Sequence, residues 1–246
     1  MVKRDEGDGG FAGDTNYLRV CDQLRADILD QRFDIGARLK IVQLANQYKV
    51  SQMPVREALQ QLQGEGLVRI VPNRGAVVRA VDERFISNIY DIREILESFF
   101  TRRATLVAGR NDIDELNLIQ SAYERYTKAD DINMRIKLNL QFHARIYDLA
   151  GNEDALEIID KHAIVVRVLT RRYNHSPARI RQISQQHRGI IAAISTRNAD
   201  LAGDIAAEHM RDARDELISK MRLNPIPQTR FNAQSDESGT AATPRS

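Results

Sequence analysis

The sequence predicts a mainly α protein in two parts, a small head of short helices closed by a basic hairpin and a larger antiparallel all-helical bundle. Three observations carry this. Apolar residues recur at three- and four-residue spacings, punctuated by glycine, from about Arg19 to Arg79. Two alternating runs at the end of that region, LVRIV and AVVRAV, flank the turn PNRG. From Val81 to Met221, helix-like segments then follow one another with no strand signal between them.

The chain has 246 residues and is 42% hydrophobic, enough to bury a core in each of two modest domains. Composition places the boundaries: a Gly- and Asp-rich lead-in over residues 1–16, the head over 17–80, the bundle over 81–221, and a polar tail over 222–246. The lead-in and the tail are expected to be disordered. With Cys21 as the one cysteine, no internal disulfide forms. The first residues carry no apolar stretch behind their charges, and no run of roughly 18 apolar residues follows, so the expectation is a cytoplasmic protein with no membrane partner. Net charge is only +2, but the segment Arg38–Arg79 holds seven Lys or Arg against Glu57 and Glu65, an excess suited to a polyanion.

In the head, YLRVCDQLRADILDQRF places Leu18, Cys21, Leu24 and Ile28 on one helical face, and DIGARL breaks that helix. IVQLANQYKV forms a second short helix that turns Val42, Leu44 and Ala45 inward. Ser51 caps a third, Pro54 sits in its first turn where a missing N–H costs nothing, and Leu59, Leu62 and Leu67 supply its buried side. The hairpin follows, with Asn73, Arg74 and Gly75 at its tip.

Short helix, tight turn, second short helix and basic hairpin together make a winged helix-turn-helix. A helix of this width fits the major groove, its N-terminal residues nearest the base edges. Gln52, Met53 and Arg56 occupy those positions. Arg56 can fork onto guanine or grip a phosphate, Gln52 can address adenine, and Met53 offers apolar contact to a thymine methyl. Arg74 suits a phosphate or the minor groove.

The stretch GARLKIVQLANQYKVSQMPVREALQQLQGEGLVRIVPNRGAVV resembles the DNA-binding domain of the GntR family of bacterial transcription regulators, with PVREAL, EGLV and PNRG as its specific elements. The resemblance covers about Leu24 to Val78 and implies a homodimer whose paired heads read an inverted-repeat, double-stranded DNA operator. It also implies DNA contacts from Arg38, Arg56 and Gly75. Gln52-Met53 departs from the family's usual Arg-Thr at the start of the recognition helix, so the operator sequence does not carry over.

Six helices are expected in the bundle. The first runs from Asp82, with Ile86, Ile89, Ile92, Leu96, Phe99 and Phe100 on or near one side. IDELNLIQSAYERYTKADD, INMRIKLNLQFHARIYDLAG ending at Gly151, EDALEIIDKHAIVVRVLTRRY, PARIRQISQQHRGIIAAISTRN and ADLAGDIAAEHMRDARDELISKM make the others. Such a bundle can enclose a pocket. Asn139 and His143 share one face of the third helix, His187 lies on the fifth and His209 on the sixth. Three imidazoles from three helices suit zinc, nickel or another divalent metal, and the same residues equally suit ordinary buried, hydrogen-bonded histidines. His162 and His175 have no comparable partner and read as structural or surface residues.

The segment from about Ile89 to Met210 resembles the helical C-terminal domain of the FadR subfamily, the FCD domain, through YDIREILES, FHARIYDLAGN and QQHRGIIAAISTRNADLAGDIAAEHM. The resemblance implies a metal held by His143, His187 and His209, with Asn139 at the position usually taken by aspartate. Four neutral ligands leave the metal its full charge, which favours an anion beside it. The resemblance implies a small organic acid as effector, with Arg93 helping to hold it; the other role open to Arg93 is an intrahelical pair with Glu97. The expected function is therefore an acid-responsive repressor. A metal-dependent hydrolase lacks a general base, since Glu208 points away from the ligand beside it and no HExxH occurs. A ligand-independent architectural protein would have no use for the polar residues within the bundle.

Overall fold

The computed structural model describes residues 10–72 and 75–225, with side chains described from Asn16 onward. They fall into two compact units, one containing residues up to Gln63 with Leu67–Ala80, the other Val81–Pro225 with Gly64–Gly66.

The first unit comprises α1 (Gly10–Leu29), β1 (Arg38–Leu39), α2 (Ile41–Tyr48), α3 (Gln52–Gly64), β2 (Val68–Val71) and β3 (Gly75–Val78). Val20, Leu24, Val55, Leu62 and Leu67 are completely buried in its core. Lys49, in the left-handed region at φ 55°, ends α2 by donating its N–H to the carbonyls of Ala45 and Asn46. That tight reversal sets the angle between α2 and α3. Buried Asp27 ties α1 to α2 by accepting from Tyr48 Oη at 2.8 Å, while Arg32 and Gln23 donate to it at 3.0 and 2.9 Å.

The sheet has three strands, in the order β1-β3-β2, all antiparallel, where the sequence suggested only a pair. The additional strand, β1, pairs Arg38 with Val77 and Leu39 with Ala76. Two residues are too few to show alternation, so pattern reading passes over them. Leu18 and Val42, expected inward, are 57% and 56% exposed. The buried stripes run through Val20, Cys21, Leu24 and Ile28 on α1 and through Leu44, Ala45 and Tyr48 on α2. At 3.6 residues per turn, Leu18 and Val42 each stand about 100° off the centre of their stripe. Helix also begins at Gly10, within the lead-in expected to be disordered, because extending a nucleated helix costs far less than starting one. Residues 1–9 and 226–246, part of the disorder expectation, lie outside the described residues, as do Asn73 and Arg74.

The second unit is a bundle of α4 (Glu83–Val107), α5 (Arg110–Lys128), α6 (Ile132–Ala150), α7 (Glu153–Tyr173), α8 (Pro177–Ser195) and α9 (Ala199–Leu223). The helix α9 runs two residues past Met221, into the segment expected to be disordered. Side-chain caps start the helices: Asp82, Asp131, Asn152, Ser176 and Asn198 each accept from a backbone N–H three residues on. Gly151, at φ 60°, stops α6 in the left-handed conformation that glycine adopts without penalty. Of the successive helices, α5 packs on α6, α6 on α7 and α8 on α9, while α4 lies along α9 and against α6. Phe100, Leu116, Phe142, Ile146, Ile190 and Ile194 fill the core. On α4 the inward stripe is Ile86, Ile89, Tyr90, Glu97, Phe100 and Ala104, whereas Ile92 and Phe99, assigned to that side from sequence, are 41% and 40% exposed. The polar Glu97 takes a core position there that apolar periodicity assigns to a hydrophobe.

Candidate functional site

The histidines on α6, α8 and α9 converge. Ring centroids of His143, His187 and His209 lie 5.4, 5.3 and 5.0 Å apart pairwise, and one ligand atom from each falls within 4.8 Å of the others. All three are buried. Each imidazole lies on the buried stripe of its helix, with Phe142 and Ile146 on α6, Ile183 and Ile190 on α8, and Ala206 and Met210 on α9, and so turns inward rather than to solvent. Phe142 stacks flat on His187, at 3.9 Å and 10°, and fixes that ring further.

Each imidazole is oriented from behind by an oxygen at Nδ1: Glu97 Oε2 at 3.2 Å for His143, Gln120 Oε1 at 2.8 Å for His187, and Gln186 Oε1 at 2.8 Å for His209. With the proton on Nδ1, Nε2 keeps its lone pair. Nε2 of His143 and of His187 is buried without a hydrogen-bond partner among the described residues, and so is Oδ1 of Asn139, one turn before His143. A buried acceptor left unpaired costs about 1–3 kcal/mol, so three in one place need a shared explanation. A divalent cation would supply it, since oriented imidazoles with oxygen partners behind them are how proteins hold one. Burial, and then the neighbouring His143 and Arg179, hold His187 well below the usual histidine range; burial and then His187 do the same for His209. Both rings are therefore neutral at pH 7, the state that ligates a metal. The donor set fits: His143, His187, His209 and Asn139 are the residues that would hold the ion.

Beside this cluster lies a cavity of about 400 Å³. Asn139, His143 and His209 reach its wall, and Arg93, Arg135, Arg167 and Arg179 line it against Asp148 and Asp160. Arg93 donates to Glu97 Oε1 at 2.7 Å and keeps a buried Nε without a partner among the described residues. Glu97 thus serves Arg93 and His143 together, and Tyr147 Oη donates to it as well. Burial alone raises the Glu97 carboxyl; His143, Arg93 and the Tyr147 hydroxyl outweigh it and bring the pKa to about 2. Arg179 donates to the His209 carbonyl at 2.8 Å and to Gln186 Oε1 at 2.9 Å, again with a buried Nε unpaired among the described residues.

Residues 16–78 match the family model described as bacterial regulatory proteins, gntR family, and residues 88–212 match that of the FCD domain. The chain belongs to the GntR family. It is 27% identical over 192 residues to the Nta operon transcriptional regulator of Aminobacter aminovorans, covering 77% of this chain and 89% of that one. To the gluconate operon transcriptional repressor of Bacillus licheniformis it is 28% identical over 196 residues, 75% of this chain and 77% of the other. The solved structure of E. coli McbR/YncC shares the fold at a TM-score of 0.62 and 23% identity, over 85% of this chain and 99% of that one. Like its relatives, this GntR protein is a transcription regulator with a winged helix-turn-helix head and a helical FCD domain.

In the GntR head, α3 turns Val55, Ala58, Leu59 and Leu62 inward and leaves Gln52, Met53 and Arg56 exposed. Arg38 is exposed on β1. Gly75 begins β3 at φ 72°, a conformation that a side chain there would strain. Arg74 lies outside the described residues.

Several residues of the FCD domain escaped sequence reading. His175, read as a structural or surface residue, pairs with Glu216 at 2.6 Å and also lines the cavity. His162 is half-buried and does not line it. Glu97 was legible as a partner of Arg93 but not of His143. Arg179 had a faint signal, eight residues before His187 and so near the same face of α8. Gln120 and Gln186 had none, since nothing in their spacing ties them to the histidines.

Proposed function

We propose that this chain is a ligand-responsive repressor of the FadR subfamily that acts in the cytoplasm as a homodimer, reads an inverted-repeat operator, and releases it when a small organic acid binds. The observation that carries the reading is the clustering of His143, His187 and His209, with Nε2 of His143 and of His187 and Oδ1 of Asn139 unpaired among the described residues, beside an arginine-lined cavity whose wall Asn139, His143 and His209 reach. Zinc or nickel held by these residues and His209 supplies a fixed positive charge at the cavity wall. Arg93, pre-positioned by Glu97, takes the acid's carboxylate. An acid that binds better to the form unfit for DNA must itself bind less well when operator is present. The relative named as a gluconate operon repressor favours repression over activation.

Metal analysis of protein purified without chelator, followed by a panel of small acids, tests the reading. The expected result is one metal per chain and at least one acid that both raises the melting temperature and releases operator. Full metal occupancy with no response to any acid makes the metal structural and removes the effector role of the cavity.

In the head, Gln52, Met53, Arg56, Arg38, Arg74 and Gly75 form the proposed DNA surface. Arg56→Ala is expected to weaken operator binding by more than about 1 kcal/mol, with helical content unchanged. Equal affinity at fixed salt would remove Arg56 from the interface.

Dimerisation is supported by the outer face of α4, where Ile92, Ile95 and Phe99 are 41%, 70% and 40% exposed on neighbouring turns. Sedimentation at micromolar concentration should give twice the 28.0 kDa chain mass. A monomer both free and on operator would overturn the arrangement.

A further inference from the structure

We infer that the cavity holds a second anion subsite, formed by Arg135 and Arg179, so that the acid it takes is a dicarboxylate. One carboxylate lies at Arg93 and the histidines, the other at these two guanidinium groups. This deepens the effector reading above and rests on it. Among the arginines of the cavity wall, Arg93 has a carboxylate within hydrogen-bond distance, Glu97 at 2.7 Å. Arg135 and Arg179 are 5% and 3% exposed and have none among the described residues. Their partners are neutral oxygens. Arg135 donates to Asn174 Oδ1 at 3.1 Å; Arg179 donates to Oε1 of Gln182 and of Gln186 at 3.0 and 2.9 Å and to the His209 carbonyl at 2.8 Å. Carboxylates come no closer than 3.9 Å to Arg135, from the exposed Asp130, and 3.7 Å to Arg179, from Asp212, whose Oδ2 already accepts from Gln182 and Gln186. Glu216 is held by His175 at 2.6 Å and by the Ser176 N–H at 2.8 Å.

The two guanidinium groups share one end of the cavity. Asn174, the partner of Arg135, stands five residues before Arg179, across the turn from α7 into α8. Tyr123 of the lining is near both: burial raises its hydroxyl to about 12, and Arg135 and Arg179 pull against that rise. Asp148 and Asp160, which also line the cavity, are exposed and lie at its other end. About 20 Å of helix rise separates Arg135 from Asp148 on α6, and a similar rise separates Asp160 from Asn174 on α7. Exposed charges at that range are screened, so these carboxylates do not neutralise Arg135 and Arg179. Arg167 and Thr170 lie between the two ends and bring no negative charge. Burying a cation without a counter-charge is costly, and the folded chain leaves two such cations side by side on a cavity wall. They are already dehydrated, so an anion that reaches them gains charge-assisted hydrogen bonds without that part of the cost.

Glutarate, pentanoate and glutaramate make the controlled comparison. They share one carboxylate and the same number of carbons, and differ at the far end in a carboxylate, a methyl group and an uncharged amide. Calorimetric titration of the full-length protein, with zinc supplied and salt fixed, should find glutarate at least about tenfold tighter than either of the others, the effect of one or two hydrogen bonds between charged groups. Arg135→Gln, which leaves the hydrogen bonds of the histidines in place, should cost glutarate about tenfold and pentanoate less than about twofold. If that variant does not fold, the three acids on the parent protein still decide. Pentanoate or glutaramate binding as tightly as glutarate, and losing that binding in Arg93→Met, would overturn the second subsite while leaving the acid reading intact. An equal loss for all three acids in Arg135→Gln would do the same. No binding of any of them at millimolar concentration would overturn both.

Discussion

His187→Ala is expected to lower metal affinity by at least about 100-fold while the head still binds operator. Even partners one step removed from a metal ligand cost 10- to 100-fold in affinity when lost, roughly, and His187 is proposed as a ligand itself. Its Nδ1 is held by Gln120 at 2.8 Å, so no other orientation of the ring competes with the one that presents Nε2. A metal present at 100 times its dissociation constant stabilises the fold by about 2.7 kcal/mol, and at an affinity 100-fold weaker by only a few tenths. Chelator should therefore lower the melting temperature of the parent by several degrees and barely move that of the variant. The variant also loses the ring that stacks on Phe142 at 3.9 Å, a packing cost present with or without metal. Comparing each protein with and without chelator removes that cost from the result. An unchanged chelator shift and full metal occupancy in His187→Ala would reject His187 as a ligand.

How legible this molecule was in its sequence depended on whether a feature is local. The helices of the bundle follow from apolar spacing and from caps a few residues away, such as Asn152 and Asn198, whose side chains bond N–H groups three residues on. The histidine trio was legible only as a set of candidates, because residues on α6, α8 and α9 are united by packing over long sequence separations. Glu97 is harder still. A carboxylate on a core stripe contradicts binary patterning, and what makes it tolerable is three partners, two of them on α6. Leu18 and Val42 failed for the opposite reason: they are apolar and near the right spacing, yet a quarter-turn from the stripe that packs. The short β1 could be found only by its pairing with β3, which is a property of the fold and not of the segment.

Glu97 accordingly carries the second large effect. It is 1% exposed and accepts from Arg93 at 2.7 Å and from Tyr147, with His143 Nδ1 at 3.2 Å. Glu97→Ala leaves a buried guanidinium without its counter-charge, and removing one partner of a buried pair costs about 3–5 kcal/mol. It also frees the His143 ring to turn, so metal affinity should fall by about 10- to 100-fold. Glu97→Gln keeps an acceptor without the charge and should lie between the two in both measurements. The pH dependence has a definite sign. The carboxyl has an ordinary value of 4.5 and is held at about 2 in the fold, against the upward push of burial, by His143, Arg93 and Tyr147. Its contribution is therefore complete above 4.5 and fades as the pH falls toward about 2. Urea unfolding of parent and Glu97→Ala, both freed of metal, should show the full stability difference at pH 7 and a smaller one at about pH 3.5. Equal stability at pH 7, or a difference that grows on acidification, would mean that Glu97 does not anchor Arg93 and His143 as a carboxylate.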